Sequence, residues 1–386
     1  MTPAARLSAA IAVLDRILAG ANVERALTNW GRASRFAGSS DRNAVRDLVY
    51  DALRRKRSAA CLGGGMSGRG LVLGLIRQRG EDPGPSFSGQ GHAPQPIAAT
   101  ESGQVPQGLE SLDCPDWLGP ALKDSLGPDF DATMTALQDR APVYVRVNTR
   151  RCTRDQAVDL LAQDGIAAHP TKDVKTGLQV TKNARKILTS HAYVSGLIEL
   201  QDLSSQAVVQ ALPLSNVTNV LDYCAGGGGK ALAISGLCGA RINAFDINPA
   251  RMNDLPERAR RAGAQIRILR DPSQFSPYDL VLCDAPCSGS GSWRRDPQGK
   301  WALTPKLLSE VVSIQAQVLD NASTLVKRGG ILAYATCSML RVENEDQIAA
   351  FVQRNPNWIC TRNIRFSPLS GGDGFFLAIL GYVVNN

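Results

Sequence analysis

Beyond Gln201 the chain alternates short apolar segments with helical stretches, and this alternation constrains the fold more than any other feature. Regular alternation of strand and helix is typical of an α/β domain, in which helices cover both faces of a mainly parallel sheet. Ligands bind such sheets outside the carboxyl ends of the strands. The segments that we predict as strands are 217–223, 242–246, 266–269, 280–284, 331–336 and 375–380.

The residues before this domain divide into three parts. Residues 1–80 have apolar residues at helical spacing, so we expect a helical domain there. Residues 81–112 are rich in Gly, Pro, Ser and Gln, which predicts a linker or an extended segment lying on another domain. Residues 113–200 combine a helical stretch, the alternating run VYVRV and a further helix. We therefore expect a small α+β module before the α/β domain at 201–386.

The net charge of +8 is concentrated in residues 1–80, which hold 14 Lys and Arg against 5 Asp and Glu. The other 306 residues hold 29 against 30 and are close to neutral. A basic segment joined to a near-neutral body indicates binding to phosphates, although a solvated helical surface has the same composition. Both interpretations stay open at this point.

Nine cysteines are scattered from Cys61 to Cys360 without a CxxC pair. This spacing argues against a disulfide framework and against a zinc site, so we expect reduced thiols and no metal. No apolar run approaches the roughly 18 residues of a membrane span, and charged residues stand where a signal peptide has its apolar stretch. We therefore expect a cytoplasmic protein without membrane attachment. Nothing in the sequence implies an oligomer, and we expect a monomer.

A glycine-rich loop in YCAGGGGK follows the first predicted strand of the α/β domain and precedes a helix. Consecutive glycines let a ligand approach the backbone, and the helix N-terminus offers free N–H groups. Lys230 is followed by Ala231, so the loop is not a P-loop. Nucleotides, dinucleotides and S-adenosylmethionine all bind loops of this kind, and a flexible turn is the alternative.

Two carboxylates at later strand ends are candidates for the same ligand. Asp246 closes the next predicted strand, about 20 residues on, where it can accept hydrogen bonds from ribose hydroxyls. Asp271 follows the third strand and can contact an adenine. A solvated strand-end carboxylate is the alternative for each, more so for Asp271.

Two cysteines stand just beyond strand ends, Cys287 in DAPCSGSGSWRRDP and Cys337 in LAYATCS. A thiolate that adds to carbon 6 of a cytosine makes carbon 5 nucleophilic enough to take a methyl group from a sulfonium. This chemistry also needs an acid near ring N3 and a group that helps to remove the carbon 5 proton. Asp284, Cys287 and Cys337 together can supply these groups, whereas either cysteine alone is as easily a structural thiol.

The pattern as a whole resembles the Sun/Nop family of RNA cytosine-5 methyltransferases. The resemblance rests on LDYCAGGGGK, FDIN, DAPCSGSGSWRRDP, ATCS with a following ENE, and DGFF, and it extends upstream to QDLSSQ and RVNTR. It covers about residues 115–386. It implies a Rossmann-like, S-adenosylmethionine-dependent methyltransferase domain that acts on RNA, with ribosomal RNA as the expected substrate.

The resemblance also implies roles for individual residues. Cys337 of the TC motif attacks carbon 6, Cys287 of the PC motif promotes product release, and Asp284 bonds the cytosine ring. The presence of both cysteines favours RNA over DNA as the substrate. The residues implied in binding S-adenosylmethionine are Cys224, Ala225, Gly226, Gly227, Gly228, Gly229, Lys230, Asp246, Asp271 and Asp284.

The cofactor loop departs from the family pattern DxCAAPGGK, because Gly226 and Gly227 stand where the family has Ala and Pro. The change removes a fixed φ angle and loosens the loop. It can weaken cofactor binding, but it excludes nothing that Ala and Pro allow sterically. Farther along, Arg294 and Arg295 are candidates for contacting RNA phosphates, with ion pairs to Asp296 as the alternative.

The basic N-terminal helices resemble, less specifically, a NusB-like RNA-binding domain. The leading hypothesis is therefore methylation of carbon 5 of a cytosine in 16S ribosomal RNA. There are two alternatives: a transfer RNA methyltransferase with the same chemistry, and a non-catalytic RNA-binding factor for ribosome assembly that keeps the fold.

Overall fold

A computed structural model describes residues 1–383 of the chain. The chain forms two compact units. The first contains residues 1–140 and 293–302, and the second contains residues 141–292 and the chain from Leu303 onward. This division differs from the four predicted segments, because residues 81–140 and 293–302 group with the N-terminal helices.

The first unit is helical. Its helices begin at polar caps, since the Thr2 hydroxyl accepts a hydrogen bond from the N–H of Ala5 and the Asn22 amide accepts one from Arg25. Apolar residues such as Leu14 and Val49 are fully buried in its core. The helices are α1 Pro3–Leu18, α2 Val23–Ala33, α3 Ser39–Arg54, α4 Lys56–Gly63, α5 Gly68–Gln78, α6 Gly108–Ser111, α7 Gly119–Leu126 and α8 Phe130–Ala136.

Residues 81–112 lie on these helices as an extended segment. Phe87 is 1% exposed and belongs to the helical core. The Arg69 guanidinium lies 4.8 Å from the centre of the Phe87 ring and donates to Glu101 at 2.6 Å. That pairing is the largest cause that lowers the pKa of Glu101 to about 2. Of the two interpretations of this segment, the contacts fit the extended segment rather than the linker.

The segment 293–302 also packs in the first unit, where it includes a short helix, Pro297–Ala302. The Trp301 Nε1 donates to the carbonyl of Leu53 at 2.7 Å. Arg294 is only 5% exposed, and its carbonyl accepts a hydrogen bond from Arg54 at 3.1 Å. Burial of this side chain contradicts the prediction that Arg294 contacts RNA phosphates, whereas Arg295 is exposed.

Within residues 1–383, no single helix is long and apolar enough to span a membrane. Only α4 and α5 taken together reach that length and hydropathy, and they are bent by 89° with respect to each other.

The second unit begins with a small antiparallel sheet, in the strand order β2-β3-β1-β4. The helix α9 Arg154–Gln163 covers it, with Leu161 buried against Val145 and Leu178. A short helix, α10 His191–Val194, precedes the last strand. The strands are β1 Val143–Val147, β2 Ala167–Pro170, β3 Gly177–Lys182 and β4 Ile198–Leu200.

The larger sheet of the second unit has seven strands in the order β10-β11-β9-β8-β5-β6-β7. The first five in the chain pair in parallel, while β10 and β11 are antiparallel. This confirms the predicted α/β fold class with a mainly parallel, Rossmann-like sheet. The strands are β5 Asn219–Asp222, β6 Arg241–Ala244, β7 Ile266–Ile268, β8 Tyr278–Asp284, β9 Val326–Thr336, β10 Trp358–Phe366 and β11 Phe375–Tyr382.

Helices cover both faces of this sheet. Along β8, Val281 and Cys283 face one apolar cluster, whereas Leu280 and Leu282 face the other. Side chains alternate between the two faces because the strand repeat is two residues. The helices around the sheet are α11 Leu203–Gln210, α12 Gly229–Leu237, α13 Leu255–Ala262, α14 Pro305–Ser323 and α15 Glu345–Arg354.

Trp301 links the segment 293–302 to α3 through the carbonyl of Leu53. Replacing Trp301 with Phe removes the donor to the Leu53 carbonyl, so we expect the free energy of unfolding to fall by about 1 kcal/mol. Urea denaturation followed by circular dichroism measures this change. Trp117→Phe, at a side chain that is 39% exposed, is the matched control. Equal stability of the two variants would show that Trp301 does not anchor the segment.

Candidate active site

The glycine loop connects the end of β5 to the start of α12. Gly226 has φ +51° and Gly228 has φ +74°, a backbone region that favours glycine. A Cβ at Gly228 would lie 2.2 Å from Leu255 of α13, so the loop packs tightly against that helix. The loop contains the predicted residues Cys224 and Ala225 as well.

Asp246 follows β6 and lies directly against this loop. Its Oδ2 accepts a hydrogen bond from the N–H of Gly226 at 2.9 Å, and its Oδ1 accepts one from Asn248 at 2.9 Å. Arg251 pairs with the same carboxylate at 3.2 Å. Asp246 is 2% exposed, so burial and these contacts hold its carboxylate against the glycine loop.

Asp271 has a different environment. It is exposed, and its Oδ1 accepts hydrogen bonds from both the N–H and the hydroxyl of Ser273, at 2.8 and 2.7 Å. These bonds lower the pKa of Asp271. The carboxylate caps its own turn, and its role toward a cofactor stays a prediction.

Asp222, the last residue of β5, is a buried carboxyl that sequence reasoning missed. It is fully buried, and neither oxygen has a well-formed hydrogen bond within residues 1–383. Burial, followed by the charge of Asp284, raises its pKa to about 7, although Lys230 opposes the shift. Its position directly before the glycine loop was the available signal.

Lys230 and Asp284 form an ion pair at 2.6 Å between the start of α12 and the end of β8. Burial alone would lower the pKa of Lys230, but the charges of Asp284 and Cys337 outweigh it, so the pKa is raised. The ammonium also lies 4.9 Å from the centre of the Phe375 ring. The pair therefore holds an acidic and a basic group together beside the cysteines.

The two predicted cysteines meet at the ends of β8 and β9. The Sγ atoms of Cys287 and Cys337 are 3.2 Å apart, and the N–H of Ala285 donates to the carbonyl of Ala335 at 2.8 Å. The hydrogen bond to Cys337, then burial, then the charges of Cys337 and Glu343 raise the pKa of Cys287 well above its ordinary value. All nine cysteines are free thiols.

Glu343 ties the two cysteine loops together. Its carboxylate accepts hydrogen bonds from the N–H and hydroxyl of Ser288, at 2.7 and 2.5 Å, and from the hydroxyl of Ser338. The amide of Gln315 donates to it at 3.0 Å. Glu343 is 0% exposed. Its ENE motif was noted in the sequence, but this role was not predicted.

Two arginines, also missed in the sequence, contact carbonyls of the glycine loop. Arg258 of α13 donates to the carbonyl of Gly227, and Arg146 of β1 donates to that of Gly229 at 2.8 Å. Both come from segments remote in sequence from the loop. Arg146 begins the RVNTR segment of the resemblance, but that segment did not indicate this contact, and Arg258 lies in none of the quoted motifs.

Comparison with known protein families supports one relationship. Residues 209–380 match the family model described as 16S rRNA methyltransferase RsmB/F. Residues 114–185 match the model of the ferredoxin-like domain of RsmF/B-like methyltransferases. The two matches fall on different parts of the chain, and both models describe the same group of proteins.

Individual relatives agree with these models. The chain is 33% identical over 251 residues to ribosomal RNA small subunit methyltransferase B of Salmonella newport, a match that covers 63% of this chain and 58% of that protein. The chain thus spans less than two thirds of the relative's length.

Two solved structures share the fold. PH0851 has a TM-score of 0.79 at 23% identity, covering 98% of this chain and 99% of that one. NSun6 from Pyrococcus horikoshii with SFG has a TM-score of 0.62 at 18% identity, covering 70% and 99%. These two structures show the fold alone. The family models and the curated relatives show that the chain belongs to the Sun/Nop family of methyltransferases, in the group that includes the RsmB and RsmF enzymes.

Proposed function

We propose that this protein methylates carbon 5 of a cytosine in 16S ribosomal RNA, with S-adenosylmethionine as the methyl donor. The observation that carries the proposal is the pair of thiols 3.2 Å apart, beside a carboxylate that an ammonium holds at 2.6 Å. The match to a model described as 16S rRNA methyltransferase and the name of the Salmonella relative support the choice of RNA.

The glycine loop and Asp246 fit S-adenosylmethionine. The loop lies at the carboxyl end of β5, where α/β sheets bind ligands, and the buried Asp246 carboxylate stands beside it to accept hydrogen bonds from ribose hydroxyls. The buried carboxyl of Asp222 is a further polar group next to the loop. When bound, S-adenosylmethionine supplies an electrophilic methyl group.

The charges around the thiols support different roles for the two cysteines. The charge of Cys337 is among the causes that raise the pKa of Lys230, whereas the Glu343 carboxylate is among the causes that raise the pKa of Cys287. Because Cys337 matches the nucleophile of the TC motif in the Sun/Nop pattern, we assign the nucleophilic thiolate to it. Its Sγ bonds to carbon 6, and a proton from the Lys230–Asp284 pair passes to ring N3.

Release of the product depends on Cys287. The largest cause of its raised pKa is its hydrogen bond to Cys337. Covalent attachment converts the Cys337 thiol into a thioether, and Cys287 gives its proton to water before it acts as the base. Once carbon 5 carries the methyl group, the Cys287 thiolate accepts the carbon 5 proton, the bond between carbon 6 and Cys337 breaks, and the N3 proton returns to the Lys230–Asp284 pair.

The first unit supports RNA as the partner. A concave surface between α2 and α3 combines Trp30 with Arg32, Arg42 and Arg46, the last of which pairs with Glu24. Phe36, in the loop between the two helices, is 76% exposed. Arginines can neutralise phosphates and aromatic rings can stack on unpaired bases. We propose that the first unit binds RNA and that the small antiparallel sheet makes further contacts with the same RNA.

Replacing Cys337 with Ala should lower methyl transfer to small-subunit RNA by about 10³-fold or more, because the nucleophile is lost. Incorporation of label from S-adenosylmethionine measures the rate. Cys360→Ala, at an exposed thiol on β10, is the control and should behave as wild type. Activity near wild type in Cys337→Ala would remove this cysteine from the mechanism.

Replacing Cys287 with Ala should trap a covalent protein–RNA adduct, since carbon 6 is attacked but the carbon 5 proton is not removed. The adduct appears as a band that survives denaturing electrophoresis. The double variant with Cys337→Ala should show no such band. Absence of the band in the single variant would exclude the proposed release role.

Glu343→Gln should lower the pKa of Cys287, because the carboxylate no longer opposes ionisation. Alkylation of the Cys287 peptide, followed by mass spectrometry over a series of pH values, should reach its midpoint at a lower pH than in wild type. The matched control is Glu345→Gln, whose carboxylate pairs with Arg365. An unchanged midpoint for Glu343→Gln would show that the Glu343 carboxylate does not oppose ionisation of Cys287.

A further inference from the structure

The glycine loop of this chain lacks the Ala-Pro pair of the Sun/Nop pattern, yet the structure holds it by another means. We propose that Arg258 is a positioning residue that fixes the cofactor loop through the carbonyl of Gly227, in place of the restraint that a proline supplies. The inference rests on the proposed function of this loop as the S-adenosylmethionine site.

The Arg258 guanidinium occupies the space that a side chain at position 227 would need. A Cβ at this position would lie 2.8 Å from Arg258 Nη1, closer than real Cβ contacts allow. The same guanidinium group donates to the Gly227 carbonyl. Glycine at 227 therefore leaves room for the group that binds its own backbone. Ala or Pro, each of which carries a Cβ, would displace that group.

Arg258 is itself held in place. Its guanidinium pairs with Glu199 of β4 at 3.5 Å, and Glu199 is 6% exposed and pairs also with Arg261 at 2.8 Å. Arg146 of β1 binds the Gly229 carbonyl from the same small sheet. Arg146 of the small sheet and Arg258 of α13 thus hold two carbonyls of the loop by hydrogen bonds. We call the hydrogen bond from Arg258 to the Gly227 carbonyl the brace.

The physical need for a brace follows from the loop sequence. Glycine loses more conformational freedom on ordering than any other residue, and proline loses the least at φ. A hydrogen bond from a charged donor is stronger than one from a neutral donor. The bond from Arg258 can therefore offset the entropy that the two glycines add to the flexible state of the loop.

The first experiment needs no cofactor. In the ligand-free protein, Arg258→Ala should speed amide hydrogen exchange at Gly226 and Gly228 by about tenfold, a factor that corresponds to about 1.4 kcal/mol. Both amides are hydrogen-bonded in the loop, to Asp246 and to Ala225. Exchange in the core of β8 and β9 should not change, which separates loss of the brace from general loosening.

Arg260→Ala is the matched control, because Arg260 lies on the same helix but has a side chain that is 75% exposed and pairs locally with Glu257. It should leave exchange in the loop as in wild type. Equal exchange in the Arg258 and Arg260 variants would overturn the proposal, whatever the loop binds.

A double-mutant cycle then tests the link between Arg258 and Gly227. Calorimetric titration with S-adenosylhomocysteine should show about tenfold weaker binding for Arg258→Ala. Gly227→Ala should weaken binding similarly in the wild-type background, since its Cβ displaces the guanidinium, but should add little to Arg258→Ala. Additive losses would overturn the coupling between the two residues.

The two proposals fail in different ways. If the wild-type protein bound no S-adenosylhomocysteine while Arg258→Ala still loosened the loop, the cofactor assignment would fail and the brace would stand. If wild type bound it and Arg258→Ala changed neither binding nor exchange, the brace would fail and the proposed function would stand.

Discussion

The parallel pairing of β8 with β9 is the interaction on which the site depends. It places Asp284 opposite Ala335, so the loops that carry Cys287 and Cys337 leave the sheet side by side. Two thiols 50 residues apart in sequence are thereby brought to 3.2 Å. Both strands are buried in the centre of the sheet, so apolar packing on both faces fixes their register. The fixed register determines where the two cysteine loops leave the sheet, and therefore how close the two thiols lie.

Charged side chains connect the two cysteine loops to each other and to the cofactor loop. Lys230 comes from the first turn of α12 and reaches Asp284 at the end of β8, so it connects the cofactor loop to the cysteine loops. Glu343 connects the two cysteine loops to each other through Ser288 and Ser338. The hydrogen bond to Cys337, burial and the Glu343 carboxylate all oppose ionisation of Cys287.

Much of this arrangement could be predicted from the sequence, for a physical reason. The alternation of strands and helices after Gln201 determines that strand ends meet at one edge, so residues just beyond those ends, such as Asp246 and Cys337, could be expected near one another. Strand β10 was not predicted, because its residues are mostly exposed and carry arginine, threonine and asparagine. This strand forms because it pairs with the buried strand β11, and its own composition does not indicate a strand.

Other parts could not be predicted because they depend on contacts between distant segments. The brace between Arg258 and Gly227 depends on the path of α13, and the packing of 293–302 with the N-terminal helices depends on Trp301 finding the Leu53 carbonyl. The burial of Arg294 has the same origin. A basic pair in a loop looks exposed in sequence, and only the fold reveals which of its members is covered.

The identity of the attacking thiol is the central claim, and it can be measured in the wild-type protein. Small-subunit RNA that contains 5-fluorocytidine has no carbon 5 proton to lose, so a methylated adduct cannot be released. After digestion of the trapped complex, mass spectrometry identifies the cysteine that carries the nucleotide. We expect the nucleotide on Cys337; its attachment to Cys287, or the absence of any adduct, would contradict the account.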